Sequence, residues 1–446
     1  MYNVLDFGAR SREDFNSTKA FQAAIDACHE NGGGVVYIPY GAYMLASMHL
    51  YSNIHFVFEP GATLLGSLDP DDFDEREPVD YPLYQDVSHS YFHRSMFWAE
   101  GCENISFSGS GTIDMREVWE KEPVKTAHLN GSKRANKIFA LKYCKNVVIK
   151  DLNLYNATDL AVYLAGCEDC RITGLNIKVN IDGISPDCCK NVIISDCNII
   201  AGDDAIVPKS SYTLNKKVDS ENIVITNCVV SSRMCAIKFG TETNGGFKNV
   251  TVSNCTIYDT CYTGVAIEIA DGGEIDGMVV SGITMKNVGS PFIITLTDRK
   301  RGPEGTPVGS IKNVIIDNLI ATGPYQDMSL IRYTATLPPD TDYHHEPKII
   351  ASSVTGLPGS VLENISLSNI YLTVPGGCDK KTEEIEIPDM PMPTPAAFSY
   401  SYLLPAYGIY FRHVKDLKLS NINVRTLQAD KRNNMVFDFV EGLKID

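Results

Sequence analysis

Three aspartates in two short motifs are the residues best suited to chemistry. Asp182 lies in the tetrapeptide NIDG, whereas Asp203 and Asp204 follow a glycine in the tripeptide GDD. The glycines favour turns that could present these side chains together. Because three close carboxylates cannot all ionise cheaply, at least one is expected to keep its proton at neutral pH. One carboxyl group could then act as a general acid and another as a base. A Ca²⁺ site or a solvated acidic turn is the alternative interpretation.

A repeated phrase runs through most of the chain and would position these motifs. Copies include KNVIISDCNIIA from Lys190, ENIVITNCVVSS from Glu221, KNVTVSNCTIYD from Lys248 and ENISLSNIYLTV from Glu363. Apolar residues two apart indicate strands with one buried face, and repeats of about 20–50 residues indicate a solenoid. We predict an all-β fold, a right-handed parallel β-helix. Asp182 and Asp203 are 203 − 182 = 21 residues apart. This distance is about one coil and predicts that the two motifs lie on neighbouring rungs.

Two residue types recur at fixed places in the repeats and are predicted to stack in columns. The anchor asparagines are interpreted as turn residues whose side chains bond neighbouring backbone. Cysteines that follow six residues after each anchor are interpreted as a ladder of small buried thiols. The anchors are Asn191, Asn222 and Asn249, and the cysteines are Cys197, Cys228 and Cys255.

The N-terminal segment differs from the repeats. Residues 14–31 have a helical period of 3.6, a candidate N-cap at Asn16, Ser17 or Thr18, and a run of glycines directly after them. We predict a helix-and-strand cap over residues 1–66 that covers the open end of the solenoid. Residues 67–446 are predicted to continue the same single structural domain as a parallel β-helix. Its predicted loop insertions are 68–98, 298–309, 337–358 and 375–405.

The composition argues against several classes of function. The chain has 446 residues, 39 Lys and Arg against 55 Asp and Glu, and a net charge of −16. That acidity argues against nucleic acid and against a polybasic membrane anchor as partners. No apolar run is long enough for a transmembrane helix. The 13 cysteines lack a paired zinc-site spacing, and many thiols without a visible export signal predict the cytoplasm. No metal is expected, and a homo-oligomer is left open.

The motifs resemble those of one enzyme family. The N-terminal GAR, QAAIDA and GGGVVYIP, the repeats, and above all NIDG followed by GDD and AIVPKSS are similar to glycoside hydrolase family 28, the polygalacturonase family. The resemblance extends from Val4 to Thr426. It implies that Asp203 is the general acid and that Asp182 and Asp204 position and deprotonate water. It also implies an oligosaccharide substrate and no cofactor.

Two places depart from the family pattern. Cys235 stands where the family has the histidine of a Gly-His-Gly motif. Ala266 and Glu268 stand where the family has the Arg and Lys of an Arg-Ile-Lys motif that holds a galacturonate carboxylate. Glu268 would repel a substrate carboxylate at that subsite. The departures predict an enzyme other than an ordinary endo-polygalacturonase.

Five residues near the motifs are predicted to bind substrate. Lys209 and Lys238 could supply the missing positive charge, although Lys238 could instead be bonded to the acidic cluster. Glu242 could replace a missing acid or base. The complete set of predicted substrate-binding residues is Asn180, Lys209, Lys238, Glu242 and Glu268.

Three functions are compatible with these patterns. The first is an inverting glycoside hydrolase that cleaves pectin-type or related plant oligosaccharides, with long insertions that would favour exo cleavage. The second is a polysaccharide lyase, which would need a base and a cation, with Ca²⁺ held by the acidic cluster. The third is a non-catalytic carbohydrate-binding β-helix. We favour the hydrolase because NIDG and GDD supply the acid and the base that inversion requires.

Overall fold

The computed structural model describes residues 1–121, 136–323, 351–387 and 403–446, together with the short strands Lys125–Thr126 and Leu129–Asn130. Its regular structure is almost entirely β. The chain divides into two compact units. The first contains Met1–Gly202 and Thr213–Asn215, and the second contains Asp203–Tyr212 and the described residues from Lys216 onward.

The first unit is built from three parallel sheets, each of which receives one strand per coil. Sheet A contains, in order of pairing, Tyr2–Asn3, Gly34–Ile38, Ile54–Phe58, Glu103–Gly109, Lys145–Lys150, Glu168–Thr173 and Lys190–Ser195. Sheet B contains Gly41–Leu45, Ala62–Gly66, Thr112–Asp114, Asn153–Tyr155, Asn176–Val179 and Asn198–Ala201. Sheet C contains Met48–His49, Ser95–Glu100, Lys137–Lys142, Val162–Ala165 and Ile184–Asp187. Lys125–Thr126 and Leu129–Asn130 form a separate antiparallel pair.

The second unit repeats this parallel pairing with longer strands that turn from one face to the next. Thr256–Ile269, for example, pairs first with Val229–Ser232 and then with Cys235–Phe239. Its strands are Ser220–Thr226, Val229–Ser232, Cys235–Phe239, Phe247–Ser253, Thr256–Ile269, Glu274–Leu296, Ser310–Thr322, Ser352–Thr355, Leu362–Val374, Ala406–Thr426, Asn433–Glu441 and Lys444–Ile445. Each unit is thus a stack of parallel coils, and the predicted parallel β-helix is confirmed.

The asparagine column is present in both units. In the second, the Asn249 amide donates to the Asn222 side-chain oxygen at 2.7 Å, and both residues have φ near +55°. In the first, Asn191 donates to Asp169 at 2.8 Å. Asn and Asp tolerate this left-handed conformation better than other side chains. The prediction of a turn role is confirmed, and these hydrogen bonds join side chains at equivalent positions one coil apart.

The cysteines of the predicted thiol column share one local geometry. Cys197, Cys228 and Cys255 are buried, and each thiol donates to the carbonyl oxygen two residues earlier, at 3.2 to 3.3 Å. Within the second unit, the interaction with Cys228 and then burial raise the pKa of the Cys255 thiol. Cys255 is therefore a neutral thiol, and all three cysteines are buried packing residues.

A helix covers the first coil of the first unit. The chain begins with a 3₁₀ turn at Val4–Phe7, and the α-helix α1 spans Thr18–Glu30 with Ser17 at its N-cap. Helix α1 buries an apolar stripe that includes Phe21 and Ile25 against the first strands of the sheets. The capping helix predicted from the 3.6 period is confirmed. None of the helices in the described ranges has the length and apolarity needed to cross a membrane.

The predicted insertions are described in part. Residues 68–98 contain 3₁₀ turns at Pro70–Asp72 and Val87–His89, and their last residues already belong to strand Ser95–Glu100. Residues 298–309 contain no strand. Residues 337–350 and 388–402 lie outside the described residues. The described parts of the last two insertions include strand Ser352–Thr355 and a 3₁₀ turn at Thr382–Glu384.

Candidate active site

The strands that lead into the two motifs are neighbours in sheet B. Within the first unit, Val179 is the direct partner of Ala201, and the Gly202 N–H donates to the Val179 carbonyl at 2.9 Å. A side chain at Gly202 is excluded, because a Cβ there would lie 2.1 Å from the Asn180 carbonyl oxygen. The coil length here is 22 residues, so the prediction of neighbouring rungs is confirmed for the strands that lead into NIDG and GDD.

Asp182 sits in the first unit, at the turn between strand Asn176–Val179 and strand Ile184–Asp187. Its side chain is 4% exposed, and one of its oxygens accepts a hydrogen bond from the Ser185 hydroxyl at 3.4 Å. Asn180 is buried beside it, and its amide nitrogen has no hydrogen-bond partner among the described residues. The turn thus brings a buried carboxylate and a buried amide into the same corner.

His89 is a neighbour of Asp182 that the sequence analysis missed. Its Nε2 lies 3.7 Å from the Asp182 Oδ2, and its ring meets the Tyr163 ring edge-on with centroids 5.3 Å apart. His89 comes from the insertion 68–98, where no repeat spacing connects it with NIDG. The only signal was the expectation that insertions lie on the binding face of a solenoid.

Asp203 and Asp204 open the second unit side by side. Their carboxylate oxygens lie within 4.8 Å of each other; Asp203 is half-buried and Asp204 is buried. Asp204 accepts from the Lys238 ammonium at 2.8 Å and from the Cys235 backbone N–H at 3.1 Å. The backbone carbonyl of Asp203 accepts from the Ser232 hydroxyl. Lys238 is therefore bonded to the acidic pair, which was one of its two predicted roles.

Glu268 adds a second buried acid near Lys238. Lys238 is the strand partner of Ala266, so Glu268, two residues further along, lies on the same face as a diagonal neighbour. Glu268 is 0% exposed, and its carboxylate oxygens have no hydrogen-bond partner within the described residues. Burial raises the pKa of Glu268 to about 7, although the positive charge of Lys238 opposes that rise. Because Glu268 is buried, any effect of its charge on a substrate would be exerted from the protein interior and not by direct contact at the surface.

Lys238 keeps its charge in this setting. Burial alone would lower the pKa of Lys238, but the carboxylates of Asp204 and Glu268 outweigh burial and raise it well above its usual value. The Lys238 ammonium therefore interacts with two acids in two different ways. Asp204 bonds to it directly, whereas Glu268 interacts with it through charge alone.

Lys209 and Glu242 form a separate buried pair. Their ammonium and carboxylate lie 2.6 Å apart. Arg299 and Arg301 approach the same carboxylate at 3.9 and 4.0 Å, and Arg299 also pairs with Asp271. The two arginines belong to the run DRKR in the insertion 298–309, a signal that the sequence analysis did not use. Glu242 is thus held by cations.

The departures from the family pattern have a structural counterpart. Cys235 is buried, and burial raises the pKa of its thiol well above the usual range, so it stays a neutral thiol. Ala266 packs in an apolar cluster with Cys261, Tyr262 and Ile293. The position where the family has an arginine therefore carries no cation here.

Comparisons with known proteins agree with the fold and the motifs. The family model described as Glycosyl hydrolases family 28 matches residues 81–334, more than half of the chain. The chain is 27% identical over 312 residues to a "Probable polygalacturonase" of Vitis vinifera, a match that covers 66% of this chain and 62% of that protein. It is 24% identical to an "Exopolygalacturonase" of Platanus acerifolia, over 66% of this chain and 74% of that protein.

Solved structures show the same architecture. The structure of a hyperthermoactive exopolygalacturonase from Thermotoga maritima superposes with a TM-score of 0.68 at 21% identity, over 83% of this chain and 86% of the other. That likeness supports the fold alone. The chain spans less than two thirds of the length of the Vitis vinifera relative. The family model, whose match includes both NIDG and GDD, shows that this chain belongs to glycosyl hydrolases family 28.

Proposed function

We propose that the protein is an inverting, exo-acting glycoside hydrolase that cleaves glycosidic bonds in pectin-type oligosaccharides. The observation that carries the proposal is the family match over residues that include NIDG and GDD. The buried Asp204–Lys238 pair beside a half-buried Asp203 is the local chemistry that supports it. No cofactor is needed for this reaction.

Asp203 is proposed as the general acid. Two neighbouring carboxyl groups resist double ionisation, and Lys238 stabilises the ionised form of Asp204. Asp203 is the more exposed of the two carboxyl groups, and we assign it the role of proton donor. Asp203 would deliver a proton to the leaving glycosidic oxygen.

Asp182 and Asp204 are proposed to position and deprotonate the attacking water. Both are buried carboxylates with a donor on one oxygen. Asp203 and Asp204 approach within 4.8 Å, which is shorter than the roughly 6.5–9.5 Å that separates acid and base in a typical inverting enzyme. The distance within this pair therefore does not carry the assignment of inversion. The resemblance to the family carries it, and the anomer of the product tests it.

The proposed substrate class follows from the family and from the departures. The names of the Platanus acerifolia relative and the Thermotoga maritima neighbour support exo cleavage of a polygalacturonide. The apolar cluster around Ala266 and the buried Glu268 supply no surface cation at the positions of the family Arg and Lys. We therefore expect short oligosaccharides to be preferred, with a galacturonide or a neighbouring sugar at the cleaved end.

One NMR time course tests the proposal. Pectin-derived oligosaccharides are incubated with the parent, with Asp203→Asn and with the control Asp196→Asn. Asp196 is an exposed turn residue with φ of +56°, a conformation that Asn also accepts. We expect the parent and the control to release a terminal sugar with inverted configuration. Asp203→Asn should be about 10²- to 10⁴-fold slower.

Three results would contradict the proposal. Near-parental activity of a folded Asp203→Asn variant would show that Asp203 is not the general acid. Mid-length products would contradict exo cleavage. An unsaturated product with new ultraviolet absorbance would assign the protein to the lyases.

A further inference from the structure

A buried imidazole near Asp182 has no role in the mechanism above. His89 is 4% exposed, and its two ring nitrogens have no hydrogen-bond partner within the described ranges. A buried polar group without a hydrogen bond is costly, so its persistence needs an explanation. The Asp182 Oδ2 lies 3.7 Å from its Nε2.

The backbone of His89 is held firmly. Its carbonyl oxygen accepts from the Tyr163 hydroxyl at 2.8 Å and from the Thr213 hydroxyl. Phe92, three residues further along the insertion, stacks on the same tyrosine with ring centroids 5.1 Å apart. These contacts fix the 3₁₀ turn Val87–His89 and so fix where the imidazole lies.

We propose that His89 is a positioning residue for Asp182, with the Nε2–H of its imidazole directed at the Asp182 carboxylate. The inference rests on the proposed function, because Asp182 is there a water-activating residue. Cys235 occupies the family histidine position, and burial keeps that thiol neutral. In this chain an imidazole would thus reach the site from the insertion 68–98 and not from the repeat.

The other charged and titratable groups around His89 are already engaged. Asp187 lies 3.4 Å from the Tyr163 hydroxyl. Burial raises the pKa of Tyr163 well above its usual value, so the phenol is a neutral donor. Lys137 lies 5.9 Å from the centre of the Tyr163 ring and 3.5 Å from Asp159. Asp182 is therefore the carboxylate that we assign as the partner of His89.

The separation of 3.7 Å between the His89 Nε2 and the Asp182 Oδ2 is longer than a hydrogen bond. Catalytic hydrogen bonds often tighten only when substrate is bound. His89 would hold the carboxylate of Asp182 in a fixed orientation toward water. No covalent step involves it.

The first experiment measures the pair without substrate. Imidazole ¹⁵N and ¹H resonances are followed against pH in the parent, in Asp182→Asn and in the control Asp196→Asn, with His89→Gln used to assign the His89 signals. The His89 Nε2 lies 3.7 Å from the Asp182 carboxylate, so loss of that carboxylate should change the environment of the ring. We expect the His89 resonances to move in Asp182→Asn and to keep their parental positions in Asp196→Asn. Unchanged His89 resonances in that variant would overturn the inference.

The second experiment measures catalysis. His89→Gln should lower kcat by about 10- to 100-fold with KM nearly unchanged, and the acid limb of kcat/KM should move to higher pH. The control His93→Gln lies in the same insertion, where its ring stacks on Trp98, and it should leave both quantities unchanged. A raised KM with parental kcat would show sugar binding by His89 and overturn the positioning role. If no substrate is hydrolysed, the proposed function fails, whereas the NMR titration still decides the pair.

Discussion

Asp182 and Asp204 are the same residue type in two different environments. Asp182 has a hydroxyl and an imidazole as neighbours, whereas Asp204 has a permanently charged ammonium and a backbone N–H. Glu268 is the diagonal neighbour of Lys238, and its carboxylate has no hydrogen bond among the described residues. The comparison teaches that repeating coils can present similar carboxylates, while the residues around each carboxylate give it a different environment. The comparison can be tested by changing one neighbour at a time.

Removal of Lys238 is expected to have the largest effect. Lys238→Met leaves Asp204 buried without its ammonium, and loss of one partner from a buried pair costs about 3–5 kcal/mol of unfolding free energy. Activity should fall by about a hundredfold or more, because the proposed water-activating carboxylate of Asp204 would lose the ammonium that pairs with it at 2.8 Å. Denaturant unfolding and kcat/KM measure the two effects. The comparison variant is Ser185→Ala, which removes the hydroxyl beside Asp182. If Lys238→Met lowered activity no more than Ser185→Ala does, the proposed difference between the environments of the two aspartates would be wrong.

The next effect concerns Glu268 and pH. Its pKa is about 7 in the folded protein against an ordinary value of 4.5, so the folded state binds this proton more tightly than the unfolded state does. Stability from Glu268 is therefore complete below about pH 4.5 and is lost as the pH rises to about 7. Glu268→Gln resembles the neutral acid. It should match the parent at pH 4.5 and exceed its unfolding free energy at pH 8 by up to about 3 kcal/mol.

The control for this pH dependence is Glu363→Gln, which changes an exposed glutamate on strand Leu362–Val374. It should follow the parent at both pH values in the same denaturant experiment. A Glu268→Gln protein with a constant difference from the parent at all pH values would show that Glu268 does not ionise in the folded state.

The smallest effect is expected at the Asp182 corner. Ser185→Ala removes a hydroxyl that donates to Asp182 over 3.4 Å, and a hydrogen bond of this kind contributes about 0.5–1.5 kcal/mol. We expect kcat to fall about threefold with an unchanged fold. A loss as large as that of Lys238→Met would mean that the two aspartates depend equally on their hydrogen-bond donors.

Much of the fold could be predicted from the repeats. Alternation of apolar residues fixes which face of a strand is buried, and Asn222 and Asn249 mark the corners because their side chains accept φ near +55°. The buried state of Glu268 was not predictable in this way. Whether neighbouring segments cover a side chain depends on insertions, and these insertions have no period.

The sequence by itself determined the coil, the capping helix and the pair of aspartate motifs, because these depend on local periodicity and on residues that tolerate sharp turns. Only the tertiary structure decided which side chains surround each aspartate. His89 is 182 − 89 = 93 residues from Asp182, and a turn locked by Tyr163 brings them together. Arg299 reaches Asp271 and Glu242 from another insertion. Such contacts join segments through packing, and packing between non-repeating segments leaves no spacing in the sequence.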